Sequence, residues 1–177
     1  MSVQVNIRRA APQEMGDAIA IDEDAFEMYK TAGVHVEIGP DHPFAIAEWA
    51  RWTQAARDGG VYLAEVDGVG PVGMLVVNFV DGLKHLEQLS VRRSAMRRGI
   101  GCQLLRHAIR WAGAEPLWLT TYSHLPWNRR FYEQEGFVVV PEAECPRGIV
   151  AMLQEQRRWL AAPQERVAMC RSAPEIP

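Results

Sequence analysis

The chain of 177 residues is 48% hydrophobic and 23% charged, a composition typical of a folded globular protein and not of a disordered one. Its net charge of −3 excludes the broad basic surface on which non-specific nucleic-acid binding depends. No apolar run reaches the roughly 18 residues that cross a membrane, and the first residues lack the pattern of a secretion signal. We therefore expect a cytoplasmic protein with one domain over residues 1–171 and a short tail over residues 172–177.

The cysteines and histidines show none of the spacings that bind metal. Three cysteines are an odd number and form no CxxC pair, and the five histidines include no HxxxH pair. We predict neither a disulfide framework nor a structural or catalytic metal site.

The first third of the chain predicts a strand, a helix, a loop and a second helix. Apolar residues alternate with polar ones over residues 3–7, as in a half-buried strand. Pro12 suits the first turn of a helix that continues to about Tyr29. The apolar stripe expected on that helix consists of Met15, Ile19, Ala25 and Phe26. Glycines and prolines then indicate a loop, and the second helix is expected over residues 43–57.

Three consecutive antiparallel strands are predicted in the middle of the chain. They cover residues 61–66, 72–80 and 83–91, and turn residues separate each from the next. The turns contain Gly68, Gly70 and Pro71 in the first case and Asp81 and Gly82 in the second. The middle of the chain is therefore expected to form a meander.

A basic, glycine-containing turn follows the third of these strands and leads into an amphipathic helix. Its apolar face comprises Ile100, Leu104, Leu105, Ala108, Ile109 and Ala112. The first amides of a helix have no intrahelical acceptor, and Gly99 and Gly101 let an anion approach them closely. Arg97 and Arg98 add positive charge, so the turn predicts a site for an anion such as a pyrophosphate.

The rest of the chain predicts two more strands, a short helix, a longer helix and a closing strand. A strand over residues 116–122 would run parallel to the strand that precedes the amphipathic helix, because a helical crossover joins the two. A short helix beginning at Ser123 or His124 and containing residues 126–135 comes next, followed by a strand over residues 137–140. We then expect a loop over residues 142–148, a helix over residues 149–160 and a last strand over residues 166–170.

Two of these segments together resemble the GCN5-related N-acetyltransferase (GNAT) family. Residues 96–101, Met-Arg-Arg-Gly-Ile-Gly, are similar to the family's Arg/Gln-x-x-Gly-x-Gly/Ala pyrophosphate loop, with Met96 where Gln or Arg is usual. Residues 127–137 are similar to its segment with an Asn, a Tyr and a Gly-Phe pair in that order, here Asn128, Tyr132 and Gly136-Phe137. The resemblance implies the α/β (α+β) GNAT fold: a mixed central sheet of about six to seven strands, with an antiparallel N-terminal meander and a parallel strand pair, flanked by helices.

The resemblance also implies the cofactor and the reaction. The cofactor would be acetyl-CoA, and the protein would transfer its acetyl group to a primary amine of a small molecule or peptide by direct attack in a ternary complex. A covalent role for Cys102 is disfavoured, because direct attack needs no protein nucleophile. Residues expected to contact coenzyme A are Leu89, Ser90, Val91, Arg97, Arg98, Gly99, Ile100, Gly101, Cys102, Asn128, Phe131 and Tyr132.

Two residues are candidates for proton transfer. Glu87 is the candidate base, on the same strand face as Leu89 and Val91 unless a bulge intervenes, although it could equally be a sheet-surface glutamate paired to an arginine. The resemblance implies that Tyr132 protonates the departing thiolate and that Asn128 hydrogen-bonds the pantetheine. For Tyr132 the alternative is an aromatic residue packed between helix and sheet.

The acceptor and the partners are less defined by the sequence. The loop over residues 29–44, which includes His35, Glu37, Asp41 and His42, is expected to line the acceptor cleft. Trp49 and Trp52 lie one helical turn apart and would either wall the acceptor or belong to the core. We expect no nucleic-acid or membrane partner, and a homodimer is possible. The functional alternatives are a non-catalytic acyl-CoA binder or sensor and an acyltransferase acting on charged tRNA.

Overall fold

The computed structural model of the chain describes residues 3–172. In this range the strands are β1 (Asn6–Arg9), β2 (Val61–Val66), β3 (Gly70–Val80), β4 (Leu83–Val91), β5 (Leu117–Tyr122), β6 (Val138–Val140) and β7 (Arg166–Arg171). The helices are α1 (Met15–Thr31), α2 (Pro43–Arg57), α3 (Ile100–Ala112), α4 (Arg129–Glu133) and α5 (Arg147–Trp159). The predicted tail falls outside the described residues except for its first residue, and the domain boundary at residue 171 stays a prediction.

The strands form one mixed sheet in the order β1-β2-β3-β4-β5-β7-β6. All neighbouring strands pair antiparallel except β4 and β5, which are parallel and joined through α3. The predicted α/β fold with an antiparallel meander and one parallel pair is therefore confirmed.

The parallel pair is short, and the two strands separate after it. Only Lys84 with Leu117 and His85 with Trp118 are in register between β4 and β5. The divergence begins next to a bulge in β4, where Gln88 pairs with Val76 but Leu86 pairs with Val77. Glu87 is the extra residue of this bulge, and such an insertion bends the strand that contains it. Residues 87–91 of β4 therefore have a strand neighbour on one side only.

Helices cover both faces of the sheet, and neighbouring residues of β3 face opposite sides. Leu75 and Val77 pack with the apolar face of α3, whereas Met74 and Val76 pack with α1 and α2. This alternation follows from the period of two in a strand. A third cluster joins α5 to β5 and β7 through Ile149, Leu153, Trp118, Ala168 and Cys170.

The apolar stripe predicted for the first helix is partly wrong. The buried positions of α1 are Ala18, Ile21 and Ala25, whereas Phe26 is 37% exposed. The stripe is rotated because α1 packs against β3 and β4, with Ala18 and Ile21 in the same apolar cluster as Met74 and Val76. Phe26 instead lines a cleft and stacks on Tyr29, with ring centroids 5.6 Å apart.

The short helix predicted over residues 126–135 is also shorter than expected, since α4 covers only Arg129–Glu133. Ser123 does not begin a helix because its backbone N–H donates to the Glu165 carbonyl at 2.8 Å and its hydroxyl to the Glu165 carboxylate at 2.6 Å. These bonds come from a segment distant in the sequence. They hold Ser123 in a bend directly after β5.

Two further boundaries differ from the prediction. The first strand begins at Asn6, because the Val3 amide donates to the Arg98 carbonyl, 3.0 Å away, and not to a neighbouring strand. The last long helix begins at Arg147, directly after Pro146, so the predicted loop over residues 142–148 is shorter than expected and includes a 3-10 turn at Glu142–Glu144. Proline suits such a position because its fixed φ favours a helix start.

Candidate active site

The divergence of β4 and β5 opens a cleft of about 1420 Å³. Its walls come from both strands, from the start of α3, from α4 and, on the opposite side, from α1 and α2. The separation exposes one edge of β4 to this cleft, where its peptide groups have no strand partner. An extended, amide-containing chain can satisfy such an edge.

The floor at one end of the cleft is the turn between β4 and α3. Arg97 and Gly99 both have positive φ, +60° and +79°, and α3 begins at Ile100. Because the first amides of a helix lack intrahelical acceptors, those of Ile100, Gly101 and Cys102 are available to an anion. A Cβ on Gly101 would lie 3.5 Å from the Phe131 ring, which is an ordinary van der Waals contact. The surrounding protein therefore leaves room for a methyl group at this position.

The arginines near this turn have different surroundings. Arg97 lines the cleft, whereas Arg98 lies beside a separate small cavity with Val3. Arg93 pairs with Asp24 of α1, through its backbone N–H at 2.7 Å and through its guanidinium at 3.2 Å. Of the predicted anion-binding side chains, the structure therefore brings Arg97 to the cleft and leaves Arg98 outside it.

Glu87 lies in the cleft wall with both carboxylate oxygens engaged. Oε1 accepts from Arg51 Nε at 2.7 Å, and Oε2 accepts from Asn78 Nδ2 at 2.9 Å. Its side chain is only 5% exposed. Burial alone would raise the pKa of Glu87, but His85 and Arg51 outweigh it and lower that pKa to about 2.

The bulge also changes the face on which Glu87 lies. It was expected beside Leu89 and Val91, which pack on the α3 side of the sheet. Its partner Arg51 belongs instead to α2, on the opposite side. The expectation depended on the absence of a bulge, and the bulge that is present reverses the alternation of side chains on the strand.

Two carboxylates that the sequence analysis missed line the same cleft. Asp22 of α1 accepts hydrogen bonds from Ser90 Oγ and from Gln88 Nε2, both at 2.6 Å. Burial raises the pKa of Asp22, and these two hydrogen bonds oppose the rise. Glu48 of α2 has no hydrogen-bond partner within residues 3–172, and burial together with the charges of Asp22 and Glu87 raises its pKa to about 7.

Asn128 and Tyr132 both line the cleft, the first directly before α4 and the second within it. Asn128 is the residue that precedes the helix, and its Oδ1 accepts from the hydroxyl of Tyr29 at 3.2 Å. Tyr132 packs edge-to-face against Phe131 and Phe137 and is 9% exposed. Burial, with a smaller contribution from Tyr29, raises the pKa of Tyr132. Tyr132 therefore packs between helix and sheet, which was the alternative to a role in the reaction, and it also lines the cleft, as a role in the reaction requires.

The remaining predicted contact residues are close together. The cleft is lined by Leu89, Ser90, Val91, Gly99, Ile100, Gly101, Cys102 and Phe131, together with Met96. Cys102 is half-buried, and its thiol is not part of a disulfide. Among residues 3–172 no group of three or more His, Cys, Asp or Glu side chains is arranged to hold a metal ion.

The far end of the cleft contains part of the loop between α1 and α2. Val34, His35 and Glu37 line it, whereas His42 accepts a hydrogen bond from the Phe44 amide at 3.1 Å and so caps α2. Trp49 and Trp52, each expected either to wall the acceptor or to belong to the core, have different environments. Trp49 is 39% exposed and lines the cleft, and Trp52 is buried in the core. From β7 and α5, Arg166 and Gln156 complete this end.

The sequence contains a signal for each of the two missed carboxylates, Glu48 and Asp22. Glu48 lies between Phe44 and Trp52 at helical spacing, and both of those residues are buried. Asp22 likewise lies between Ala18 and Ala25 on the buried stripe of α1. A carboxylate within an apolar stripe is unusual enough to indicate a site, because ionised side chains are rarely buried without a reason.

The helices of residues 3–172 include none with the length and apolar character needed to cross a bilayer.

The model of the acetyltransferase (GNAT) family matches residues 20–137 of the chain. That interval contains the turn before α3, the exposed edge of β4, and both Asn128 and Tyr132. The matched part is more than half of the chain and includes the main walls of the cleft.

Solved structures show the same fold at low sequence identity. The PaiA N-acetyltransferase of Thermoplasma acidophilum, in complex with coenzyme A, is 15% identical, with a TM-score of 0.65 over 96% of this chain and 99% of that one. A GNAT-family acetyltransferase of Staphylococcus aureus Mu50 is 15% identical, with a TM-score of 0.67 over 95% and 98%. N-acetylglutamate synthase of Neisseria gonorrhoeae, complexed with coenzyme A and N-acetyl-glutamate, is 17% identical with a TM-score of 0.65. This chain is covered to 97% in that match but spans only 35% of the synthase.

Proposed function

The chain belongs to the GNAT acetyltransferase family, and from that premise we propose that it is an enzyme that acetylates a primary amine of a small molecule or peptide. Acetyl-CoA is the cofactor, and it supplies the acetyl group as an activated thioester. The proposed mechanism is direct attack by the amine while both substrates are bound. The observation that supports it most strongly is the cleft itself, which joins an anion-binding helix start to an unpaired strand edge and a buried tyrosine.

The residues present fit coenzyme A at each part of the cleft. The amides at the start of α3, with the Arg97 side chain, suit a pyrophosphate. The free edge of β4 near Leu89 and Val91 suits the amide groups of a pantetheine arm, and Asn128 offers a further hydrogen bond. Backbone N–H groups at this edge would also polarise the carbonyl that the amine attacks. Arg98, which lies outside the cleft, would contribute through its backbone only.

Tyr132 is proposed as the general acid. Its pKa is raised by burial, so its hydroxyl stays protonated at neutral pH, the form that can give a proton to a departing thiolate. No side chain within residues 3–172 hydrogen-bonds that hydroxyl, which leaves it available to the bound cofactor. The packed ring of Tyr132 holds the hydroxyl in position.

The proton of the amine has two candidate acceptors. Glu87, the residue expected from the sequence, is ionised at neutral pH but binds Arg51 and Asn78, and a pKa of about 2 makes it a weak base. Glu48 has a pKa of about 7 and no protein partner in the described residues. We propose that Glu48 takes the proton, while the negative charge of Glu87 attracts the ammonium group of the acceptor. In the competing arrangement, Glu87 acts as the base through a water molecule.

The direct test is release of coenzyme A from acetyl-CoA in the presence of a panel of small amines, amino acids and short peptides. Release that depends on the amine is expected. Binding of acetyl-CoA without turnover of any amine would instead support the alternative of a non-catalytic acyl-CoA binder. The predicted homodimer and cytoplasmic location stay predictions, and sedimentation at several concentrations would decide the first.

A further inference from the structure

Arg166 is a buried arginine in the wall of the cleft. It begins β7, where it alternates inward with Ala168 and Cys170, and only 7% of its surface is exposed. Arginine is among the residues least often buried, and a buried guanidinium is normally paired with a carboxylate. The position of this charge therefore calls for an explanation.

The protein supplies Arg166 with neutral partners only. Nη2 donates to Thr120 Oγ1 at 3.1 Å and to Gln156 Oε1 at 2.6 Å, and the guanidinium lies over the Tyr122 ring, 4.6 Å from its centroid. The buried Nε has no partner. Within residues 3–172, no carboxylate oxygen lies within 4 Å of this guanidinium.

Charge compensation comes only from a distance, since Arg166 opposes the rise in the pKa of Glu48 but forms no ion pair with it within residues 3–172. The phenols of Tyr29, Tyr122 and Tyr132 are near Arg166, and all three are neutral at physiological pH because burial raises the pKa of each. A neighbouring cation, Arg157, has its own partner in Glu142 and donates to the Arg166 carbonyl at 3.0 Å. This part of the cleft thus holds a positive charge with unused donors.

Other elements of the same cleft carry carboxylates. Asp22, Glu48 and Glu87 line it from α1, α2 and β4. A cleft lined by both carboxylates and a guanidinium is complementary to a molecule that has both an ammonium and a carboxylate group.

We propose that Arg166 binds a carboxylate of the acceptor, so that the acceptor is an amine that also carries a carboxylate, such as a free amino acid. The inference rests on the proposed function and adds the substrate class to it. Arginine suits this role because its planar guanidinium donates two parallel hydrogen bonds to a carboxylate. A peptide with a carboxylate near its amine has the same chemistry, and the choice of probes separates the two.

A competing role for Arg166 is electrostatic. Its charge opposes the rise in the pKa of Tyr132, so it could assist proton transfer without touching the acceptor. That role predicts the same loss of kcat for every acceptor. Carboxylate binding predicts a loss confined to acceptors that carry the carboxylate.

The test compares the twenty common L-amino acids with their primary amides, and short peptides with their C-terminal amides, as acceptors for the wild-type protein and Arg166→Gln. Carboxylate acceptors should be acetylated with kcat/KM at least about tenfold above their amides. In Arg166→Gln that kcat/KM should fall by about 10²-fold, whereas the amides should change less than about threefold. Each acid and each amide is compared between the wild type and Arg166→Gln, so differences in the intrinsic reactivity of their amines cancel.

Two measurements separate the proposal from loss of folding. Removing a buried charge that has no counter-ion should leave Tm unchanged or raise it, because the desolvation penalty disappears. Arg106→Gln is the matched control, since Arg106 pairs with Glu135 on the outer surface at 2.8 Å and does not line the cleft. That variant should retain the carboxylate preference.

Equal losses for carboxylates and amides, or no preference in the wild type, would overturn the assignment of Arg166 while leaving acetyl transfer intact. Absence of turnover with every amine would overturn the proposed function instead. In that event calorimetric titration of the same amino acids into the protein loaded with coenzyme A decides the inference separately. Binding that Arg166→Gln abolishes would support it, and no binding would overturn it.

Discussion

The cleft contains two glutamates whose pKa values shift in opposite directions. Glu87 is held ionised by His85 and Arg51, whereas Glu48 is half-buried, has no hydrogen-bond partner within residues 3–172 and lies close to like charges. Each environment suits a different task, since a fixed negative charge attracts an ammonium group and a carboxyl with a pKa near 7 exchanges a proton at neutral pH. The two assignments make different predictions.

If Glu48 is the base, kcat/KM for the amine should rise with pH through about 7, because only its ionised form accepts a proton. Glu48→Gln should remove that limb of the profile and reduce kcat/KM by about 10²-fold. Glu87→Gln should keep the limb but move it to lower pH, since Glu87 raises the pKa of Glu48. Loss of activity in Glu87→Gln together with an intact limb in Glu48→Gln would assign the base to Glu87.

Thermal melts give an independent check on Glu48. Its folded pKa lies above its unfolded value of 4.5, so the folded state binds the extra proton and loses stability as the pH rises from about 4.5 through 7. Glu48→Gln should therefore gain in Tm over the wild type as the pH increases from 5 to 8. A difference independent of pH would show that Glu48 ionises normally.

Tyr132→Phe should lower kcat by about 10²-fold, the usual contribution of a general acid, with little change in KM for acetyl-CoA. The substitution keeps the ring that packs on Phe131 and Phe137. Tm should not fall, because no protein group bonds the hydroxyl that is removed. Steady-state rates and thermal melts measure both effects. Unchanged kcat would leave Tyr132 with packing as its only role.

At the scale of the element, the start of α3 defines where the anion would lie. Gly101 is the sensitive position, because a Cβ there meets only an ordinary contact at 3.5 Å within the protein but would stand in the path of a phosphate. Gly101→Ala should thus raise KM for acetyl-CoA roughly tenfold, the loss of one hydrogen bond to a charged group, without lowering Tm.

Gly16→Ala serves as the matched control for this substitution. Gly16 lies in α1 with open space around it, so alanine there should raise Tm slightly through helix propensity and leave KM unchanged. An unaltered KM in Gly101→Ala would place the phosphates elsewhere.

The elements that the sequence predicted well are those with local causes. Glycines, a basic turn and an apolar stripe lie next to one another in the sequence, so the strand, turn and helix around Gly99 follow from them directly. The orientation of Glu87 was left open by the local pattern, because its bulge depends on the pairing with β3. The length of α4 was wrong because Ser123 bonds Glu165, 42 positions later in the chain. In both cases a long-range contact decides what the local pattern does not.

At the scale of the whole molecule, the site is the product of the sheet's geometry. The chain brings β7 beside β5, and so places Arg166 in the same cleft as carboxylates that come from α1 and α2. Sequence patterns indicated the half of the cleft that suits the cofactor, whose residues form two continuous motifs. In the acceptor half the sequence predicted the loop between α1 and α2, whereas Asp22, Glu48 and Arg166 escaped prediction because they are scattered over the chain and meet only in the folded protein.

The central claim is that this cleft transfers an acetyl group to an amine. The most direct measurement incubates the protein with acetyl-CoA labelled in its acetyl group and the amine panel, and follows the label by mass spectrometry. The expected result is enzyme-dependent labelling of the amine nitrogen, strongly reduced in Tyr132→Phe, with no labelled protein. Tight binding of the donor with no labelled amine, or a label that remains covalently on the protein, would contradict direct transfer.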